Sequence, residues 1–420
     1  MPHAIRPWAV AATLVAGCGN VSAPIAPSVK ATAVDGQAIP GEWIVQTRTT
    51  APPAIKGVTV VQTLDLGPAG AFHKIVTQAD RGTDTRLALA AGAGVVGVTP
   101  NRAVVLEAPS PEASTPGFVM PLAQDPLAKD QWYLPRIGTE AAWSRTHGRG
   151  VVAAVVDTGV DYRHPDLMAN MASNGVSYAD TKADGLDTFG HGTHVAGIIG
   201  AVAGNGEGVA GVAPEVKILP VAVLGAKGGG SIFSIAQGIK YAADYGVTNK
   251  VRVVINLSLG SATTTEDPIS RAAGLYATYK GALPVAAAGN HNCEVGSPAR
   301  ITDYYMAVAA TDPQDAKAPF SCFGPQIAVA APGVDIMNTT PTYRVPLNDK
   351  GLPLNYAALK GTSMATPVAA GVAVLVWSQH PEWNWKQVRE HVQRTATDLG
   401  KAGRDDIYGH GLVNADLATR

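Results

Sequence analysis

The stretch VVAAVVDTG, residues 151–159, is a continuous apolar run that ends in an aspartate. A run that is apolar at every position predicts a strand covered on both faces, as in parallel sheets packed between helices. Side chains that follow such strands gather at one edge of the sheet, where α/β proteins place their ligand sites. The stretch therefore predicts an α/β fold and marks Asp157 as a candidate site residue.

The same pattern continues toward the C-terminus, where further apolar runs alternate with segments of helical character. This alternation predicts a doubly wound, mostly parallel sheet with helices on both faces. The predicted strands are VKILPVAVL (216–224), VRVVINLSLG (251–260), LPVAAAGN (283–290), YYMAVAATD (304–312) and QIAVAAPG (326–333). The predicted helices are 192–204, 231–246, 269–281, 365–379 and 384–399.

Composition limits the classes of function. The chain has 420 residues, of which 46% are hydrophobic, so a large core and more than one domain are expected. Lys and Arg total 32 against 33 for Asp and Glu, and no basic stripe is present. A nucleic acid partner is therefore not expected.

The N-terminus has the pattern of an export signal over residues 1–18. The segment MPHAIRP precedes the apolar run WAVAATLVAG (8–17), which is too short to span a bilayer. The run leads into VAGC, which resembles a bacterial lipoprotein box with Cys18 as the lipidated residue. The alternative is an ordinary secretory signal with an incidental cysteine. Both interpretations predict export from a bacterial cell, and the first adds membrane anchoring of the precursor.

Four further segments follow this signal. Residues 19–40 predict a tether, and residues 41–108 predict a small α+β unit with four β-rich runs around the helical stretch RLALAAG. Residues 109–120, PSPEASTPGFVM, are rich in proline and serine and predict a linker. Residues 121–420 form the predicted main domain.

Three polar residues of the main domain form a chemical set. Asp157 ends a strand, His191 opens the helix of HGTHVAG between two glycines, and Ser363 stands at a helix start in GTSMATP. Each alone is more commonly a turn, packing or capping residue. Together they supply the carboxylate, base and nucleophile that acyl transfer requires, in the order Asp, His, Ser.

The chain resembles the subtilisin-like serine proteases at several motifs within residues 151–375, and YGHGLVNADLA (408–418) resembles the family's C-terminal segment. The resemblance implies a serine endopeptidase in which Asp157 orients the base, His191 transfers protons and Ser363 attacks the substrate. His194, one turn further along the helix, is expected to pack in the core. The matching motifs are VVDTGVDYRHPDL, HGTHVAGIIG, GVAGVAP, VINLSLG, VAAAGN and GTSMATPVAAGVA.

The resemblance also implies how a peptide substrate is held. Asn290 matches the family's oxyanion residue, whose amide would stabilise the tetrahedral intermediate together with the Ser363 N–H. Two segments match the walls that bind the substrate backbone as an added strand. They are the glycines Gly228, Gly229 and Gly230 and the segment Ser258, Leu259 and Gly260.

Residues 41–108 resemble the family's inhibitory propeptide, notably at GEWIVQT and GVVGVTPNRAVVLE. This implies a zymogen that processes itself near residues 109–124 and a propeptide that acts as inhibitor. Catalysis then needs no cofactor, and a monomer is expected. A structural calcium ion is implied at Asp125, Asp166 and Asn205, which supply the oxygen ligands that this ion prefers.

The three cysteines leave one pairing open. If Cys18 carries lipid, Cys293 and Cys322 remain, either as a disulfide or as two separate thiols. Cys293 lies in HNCEVGS (291–297), a loop shorter than its counterpart in the best-known secreted subtilisins. That region helps to form the pocket for the residue before the scissile bond.

Two other functions are compatible with parts of the sequence. His191 and His194 suggest a metal-dependent hydrolase, but their spacing is i, i+3 without the intervening glutamate of the zincin motif. A non-catalytic, peptide-binding lipoprotein on the same fold is the second alternative, although every catalytic position is filled.

Overall fold

The structure, a computed structural model, describes residues 34–55, 58–77, 82–107, 109, 111–112, 125–179 and 184–420. The predicted signal, Cys18 and most of the predicted tether and linker lie outside these residues. No helix within the described ranges is long and apolar enough to cross a membrane.

The N-terminal unit is an antiparallel sheet with one helix. Its strand order is β2-β3-β1-β4, so the first strand lies in the middle. β1 starts inside the segment predicted as a tether, because main-chain hydrogen bonds join Gly36 and Gln37 to Ala103. The elements are β1 (Ala38–Thr47), β2 (Val58–Asp65), β3 (Ala71–Thr77), α1 (Thr83–Ala90) and β4 (Val95–Val105).

The main domain contains the predicted parallel sheet, in the order β13-β12-β11-β10-β6-β8-β7. Its strands, with the short ones beside them, are β5 (Pro111–Glu112), β6 (Val151–Asp157), β7 (Val176–Ser177), β8 (Lys217–Ala222), β9 (Gly229–Ser231), β10 (Arg252–Leu257), β11 (Leu283–Ala287), β12 (Met306–Thr311), β13 (Ile327–Pro332), β14 (Ile336–Thr339) and β15 (Tyr356–Leu359). Its helices are α2 (Tyr133–Arg136), α3 (Thr139–Trp143), α4 (His191–Gly200), α5 (Ile232–Asn249), α6 (Pro268–Tyr279), α7 (Thr362–Gln379), α8 (Trp385–Arg394) and α9 (Ala415–Ala418).

β6 shows why residues 151–156 are all apolar. Val151, Ala153 and Val155 point to the core that contains α4, α7 and α8. The alternate residues from Val152 to Val156 point to a second core that contains α5 and α6. Successive strand residues face opposite sides, so a strand covered on both sides favours apolar residues at successive positions. The predicted fold class is confirmed.

The N-terminal unit packs against the main domain through one face of its sheet. Ile44, Phe72 and Val104 share a core with residues of α5 and α6, including Phe233 and Tyr276. The opposite face forms a small core of its own with α1. A unit of this size buries little apolar surface by itself, so the shared core provides part of its stabilisation. The residues of the small core are Trp43, Val45, Ile75, Leu89 and Val98.

Five short strands were not predicted, and two of them involve segments near the N-terminal unit. β9 is glycine-rich and adds to the N-terminal sheet next to β4. β5 lies within the predicted linker and pairs with β15 in a separate three-stranded sheet with β14. Strands of two to four residues carry too little periodicity to be recognised, and partners supplied by tertiary structure create them.

Candidate active site

The carboxyl end of β6 brings Asp157 to the first residue of α4. His191 Nδ1 donates to Asp157 Oδ1 over 2.8 Å, and both side chains are buried. The Thr158 N–H donates to the same oxygen over 2.7 Å. Asp157 Oδ2 is buried without a partner among the described residues. The hydrogen bond places the proton on Nδ1, which leaves His191 Nε2 free to accept one.

A residue not identified from the sequence, Asp187, fixes the start of α4. Its carboxylate accepts hydrogen bonds from the main-chain N–H groups of Phe189, Gly190 and Thr193, at 2.8 to 3.0 Å. These N–H groups lie at the helix start, where they would otherwise lack partners. Asp187 stands four residues before His191, and an acidic residue just before a predicted helix is the signal that identifies it.

The pKa of His191 is raised above its usual value. Burial lowers this pKa. The charge of Asp157, the hydrogen bond to Asp157 and the charge of Asp187 together raise the pKa by more than burial lowers it. A buried imidazole next to a carboxylate is thus favoured in its charged form. This is the property needed in a base that holds a proton during the reaction.

His194 has a different environment from His191. It is fully buried, and its Nε2 donates to the Ala357 carbonyl over 3.0 Å. Burial lowers its pKa to about 3, so it stays neutral at ordinary pH. The two histidines use their ring nitrogens on different partners and do not converge on a single ion.

Ser363 is the second residue of α7, and two reciprocal hydrogen bonds join it to Ser258. Its hydroxyl donates to the Ser258 carbonyl over 3.1 Å, and the Ser258 hydroxyl donates to the Ser363 carbonyl over 2.7 Å. No hydrogen bond joins Ser363 to His191 within the described part of the chain. Their helices α7 and α4 pack against each other on the same face of the sheet. Rotation about one side-chain bond redirects the hydroxyl, and such bonds commonly tighten only when substrate binds.

The side chain of Asn290 is oriented by Thr362. Asn290 Oδ1 accepts hydrogen bonds from the main-chain N–H and the hydroxyl of Thr362, each over 2.8 Å. A main-chain N–H only donates, so the oxygen of the amide must face Thr362. The amide NH₂ of Asn290 is therefore available as a donor next to Ser363. Thr362 was not identified from the sequence, although it directly precedes the candidate nucleophile.

The end of the N-terminal unit and one of the two predicted peptide-binding walls line a cavity of about 210 Å³. On one side β4 of the N-terminal unit pairs with β9, which contains two of the three predicted glycines. The third, Gly228, accepts a hydrogen bond at its carbonyl from the Leu106 N–H over 2.9 Å. Leu259 and Gly260 line the other side, and Asn290 and Ser363 also line the cavity. An extended segment thus occupies the predicted substrate position.

The three residues predicted to bind calcium lie near one another, and the oxygens of both carboxylates accept hydrogen bonds from protein N–H groups. Asp125 accepts the N–H groups of Gly204 and Gly206, at 2.8 and 3.1 Å. Asp166 accepts one hydrogen bond from the side-chain amide of Asn205 over 2.8 Å and another from the Val209 N–H over 2.9 Å. Asn205 presents its side-chain nitrogen to Asp166, and the calcium site stays a prediction. Within the described ranges no cluster of three or more acidic, histidine or cysteine side chains could hold a metal.

Cys293 and Cys322 lie beside the candidate oxyanion residue as free thiols, with their sulfur atoms 3.0 Å apart. Both line the cavity. Burial and the neighbouring Cys322 raise the pKa of Cys293 to about 11, which keeps this thiol protonated at neutral pH. The structure brings the two predicted partners together, and the disulfide itself stays a prediction.

Comparisons with known proteins find the same family by sequence and by structure. Residues 148–411 match the model of the Subtilase family. The chain is 42% identical over 294 residues to Subtilisin Savinase of Lederbergia lenta, covering 69% of this chain and 98% of that protein. The M-protease of Shouchella clausii is equally similar, with 70% of its length covered.

A solved structure is similar over nearly the whole chain. It is fervidolysin from Fervidobacterium pennivorans, described as a keratinolytic enzyme related to subtilisin. Its TM-score is 0.76 at 27% identity, over 92% of this chain. The chain spans 62% of the length of fervidolysin.

Oxidation is expected to join Cys293 and Cys322. On the chain-entropy model, closing a loop of about thirty residues adds roughly 3–4 kcal/mol to the free energy of unfolding. We expect protein purified under oxidising conditions to resist alkylation at both cysteines until it is reduced, as measured by mass spectrometry. The Cys322→Ser variant is the control, because it leaves Cys293 without a partner and open to alkylation. Labelling of both thiols in the native, unreduced protein would contradict the prediction.

Proposed function

The chain belongs to the subtilase family and is a serine endopeptidase, and from this premise we propose that Asp157, His191 and Ser363 form its catalytic triad. The observation that carries the proposal is the buried 2.8 Å hydrogen bond between Asp157 and His191. It supports a fixed tautomer in which Nε2 accepts the proton of Ser363.

In the proposed mechanism the Ser363 hydroxyl attacks the carbonyl carbon of the substrate while His191 takes its proton. Asp157 keeps the ring in place and stabilises the charged imidazole. His191 then gives the proton to the leaving amine, and an acyl-enzyme forms on Ser363. A water molecule, activated by the same imidazole, releases the acyl group and restores the serine.

Asn290 is proposed to stabilise the negative oxygen of the tetrahedral intermediate. Its NH₂ group is available because Thr362 occupies its carbonyl oxygen. The Ser363 N–H at the start of α7 is the second donor, where the helix dipole also favours negative charge. These donors are set before the reaction starts, so little reorganisation is needed when charge develops.

The N-terminal unit is proposed to act as an inhibitory propeptide of a self-processing zymogen. Three observations support this. Its last strand pairs with the predicted substrate wall, its sheet shares a core with α5 and α6, and its C-terminal residues reach the cavity lined by Ser363. A segment held this way excludes other peptides until it is cut and released.

The proposal includes export from a bacterial cell, with Cys18 as the lipid anchor of the precursor. Because Cys18 precedes the propeptide, processing would free the catalytic domain from the membrane. The mature enzyme is proposed to act on proteins or peptides as a monomer, without a catalytic cofactor. The proposal also includes a structural calcium ion and a disulfide between Cys293 and Cys322.

The Ser363→Ala variant tests the function directly. We expect it to lose peptidase activity and to accumulate as the unprocessed chain, because no other group replaces the nucleophile. Gel electrophoresis and mass spectrometry report processing, and a fluorogenic peptide reports activity. Ser144→Ala, which changes an exposed serine, should process normally. Unchanged processing and activity in the Ser363→Ala variant would overturn the proposal.

The Asn290→Ala variant tests the oxyanion role. Loss of one such donor lowers kcat by about 100- to 1,000-fold, the size measured for this donor in subtilisin. We expect a decrease in that range with KM changed much less, since the interaction is made mainly in the transition state. Steady-state kinetics on a short peptide measure both constants. A rise in KM with kcat preserved would instead assign Asn290 to substrate binding.

The raised pKa of His191 predicts the acid limb of the activity profile. Activity requires the neutral imidazole as base, so kcat/KM should fall as the pH drops through the raised pKa. The limb should lie above about 6.5, the ordinary value for histidine. The exposed histidine His410, changed to Gln, should leave this limb in place. A limb at or below 6.5 in the processed enzyme would show that Asp157 does not raise the pKa of the catalytic base.

A further inference from the structure

The end of the N-terminal unit enters the cavity in a fixed register. β4 pairs antiparallel with β9, with Val104 opposite Gly230 and Val105 opposite Gly229. The Leu106 N–H continues this ladder to the Gly228 carbonyl over 2.9 Å. These pairings fix the position of the main chain as far as Leu106. Glu107 is the first residue beyond the ladder.

Glu107 lies in the cavity beside the catalytic candidates. The same cavity is lined by Asn290, Thr362 and Ser363. The ladder holds Leu106 through its main chain, and the next carbonyl along the chain belongs to Glu107. The carbonyl of Glu107 is therefore the candidate for attack by Ser363.

His291 contacts the side chain of Glu107. Its Nε2 lies 3.0 Å from Glu107 Oε1, and His291 directly follows Asn290 in the chain. The contact is an ion pair when the imidazole is protonated. The two side chains are 52% and 57% exposed, and such a pair adds little to folding stability. A contact of this kind next to a candidate nucleophile can instead select between substrates.

Two other acidic residues line the cavity. Asp35 belongs to the N-terminal unit, where its carboxylate accepts the N–H groups of Val105 and Ala262, at 3.2 and 3.0 Å. It leaves with that unit when the propeptide is released. Glu294 stays in the main domain and opposes binding of an acidic side chain. His291 is the only basic side chain that lines the cavity among the described residues.

From this arrangement we infer that His291 determines substrate specificity, that the enzyme prefers glutamate before the scissile bond, and that it processes itself after Glu107. The inference rests on the proposed function. The Ser363 oxygen bonds to the Glu107 carbonyl carbon, the bond to the Ala108 nitrogen breaks, and His191 carries the serine proton to that nitrogen. Water then hydrolyses the acyl-enzyme and leaves Glu107 with a free carboxylate. The processing site thus lies just before the predicted linker.

The test uses the processed enzyme and three peptides built on residues 103–108, Ala-Val-Val-Leu-Xaa-Ala, with Xaa as Glu, Gln or Leu. Gln matches Glu in shape and lacks the charge. We expect kcat/KM for the Glu peptide to exceed that for the Gln peptide by roughly two- to fivefold, the size of an exposed charge pair. In the His291→Gln variant this ratio should fall to about one.

Matched variants separate recognition from folding. His410→Gln changes an exposed histidine outside the cavity and should keep the wild-type ratio. Glu294→Gln removes the opposing carboxylate and should raise the ratio. If His291→Gln does not fold, as judged by thermal melting, His291→Asn takes its place. Mass spectrometry of the mature enzyme should find Ala108 as its first residue, and Glu107→Leu should slow processing.

The outcomes distinguish this inference from the proposed function. An enzyme that cleaves the Leu or Gln peptide as well as the Glu peptide overturns the inference and leaves the catalytic proposal intact. An unchanged Glu-to-Gln ratio in a folded His291→Gln variant, or a mature N-terminus away from Ala108, does the same. If no peptide is cleaved and a serine-directed acylating reagent fails to label Ser363, both fail.

Discussion

The buried hydrogen bond between Asp157 and His191 is the constraint on which the proposed site depends. It joins the end of the central strand β6 to the start of α4, so a shift of either element would break it. Asp157 Oδ2 has no partner among the described residues, so the imidazole of His191 is the main group that stabilises the carboxylate charge. The same attraction favours the protonated imidazole and raises the pKa of His191. A carboxylate buried in this way is costly unless a partner stays in place, so the surroundings must hold α4 rigidly.

Several contacts around this bond serve the same purpose. Asp187 ties down the N–H groups at the start of α4, and its Oδ1 also accepts the Thr158 hydroxyl over 2.9 Å. That hydroxyl in turn accepts the Gly192 N–H over 2.9 Å. Gly192 cannot be replaced by a larger residue, because an added Cβ would lie 2.0 Å from the Gly159 carbonyl oxygen. The glycine after His191 therefore allows the strand end and the helix start to approach each other.

The N-terminal unit lies in the cleft that we propose for the substrate. Main-chain pairing with β9 supplies a register that is independent of side chains, and the shared core with α5 and α6 holds the unit in place. The ladder ends at Leu106, which brings Glu107 to His291 and to the proposed nucleophile. Inhibition, the site of processing and side-chain preference are thus proposed to follow from one strand pairing.

The sequence by itself determined the fold class and the chemical set. A strand buried on both faces must be apolar throughout, so β6 could be recognised without any knowledge of its neighbours. Asp157, His191 and Ser363 stand in motifs short enough to be read locally. The tertiary structure alone decided what depends on distant partners. It turned Gly229–Ser231 into a strand, oriented Asn290 through Thr362 and left the carboxylates of Asp125 and Asp166 satisfied by protein N–H groups. It also placed Glu107 against His291, 184 positions further along the chain, and no local pattern encodes a contact between two exposed side chains so far apart in sequence.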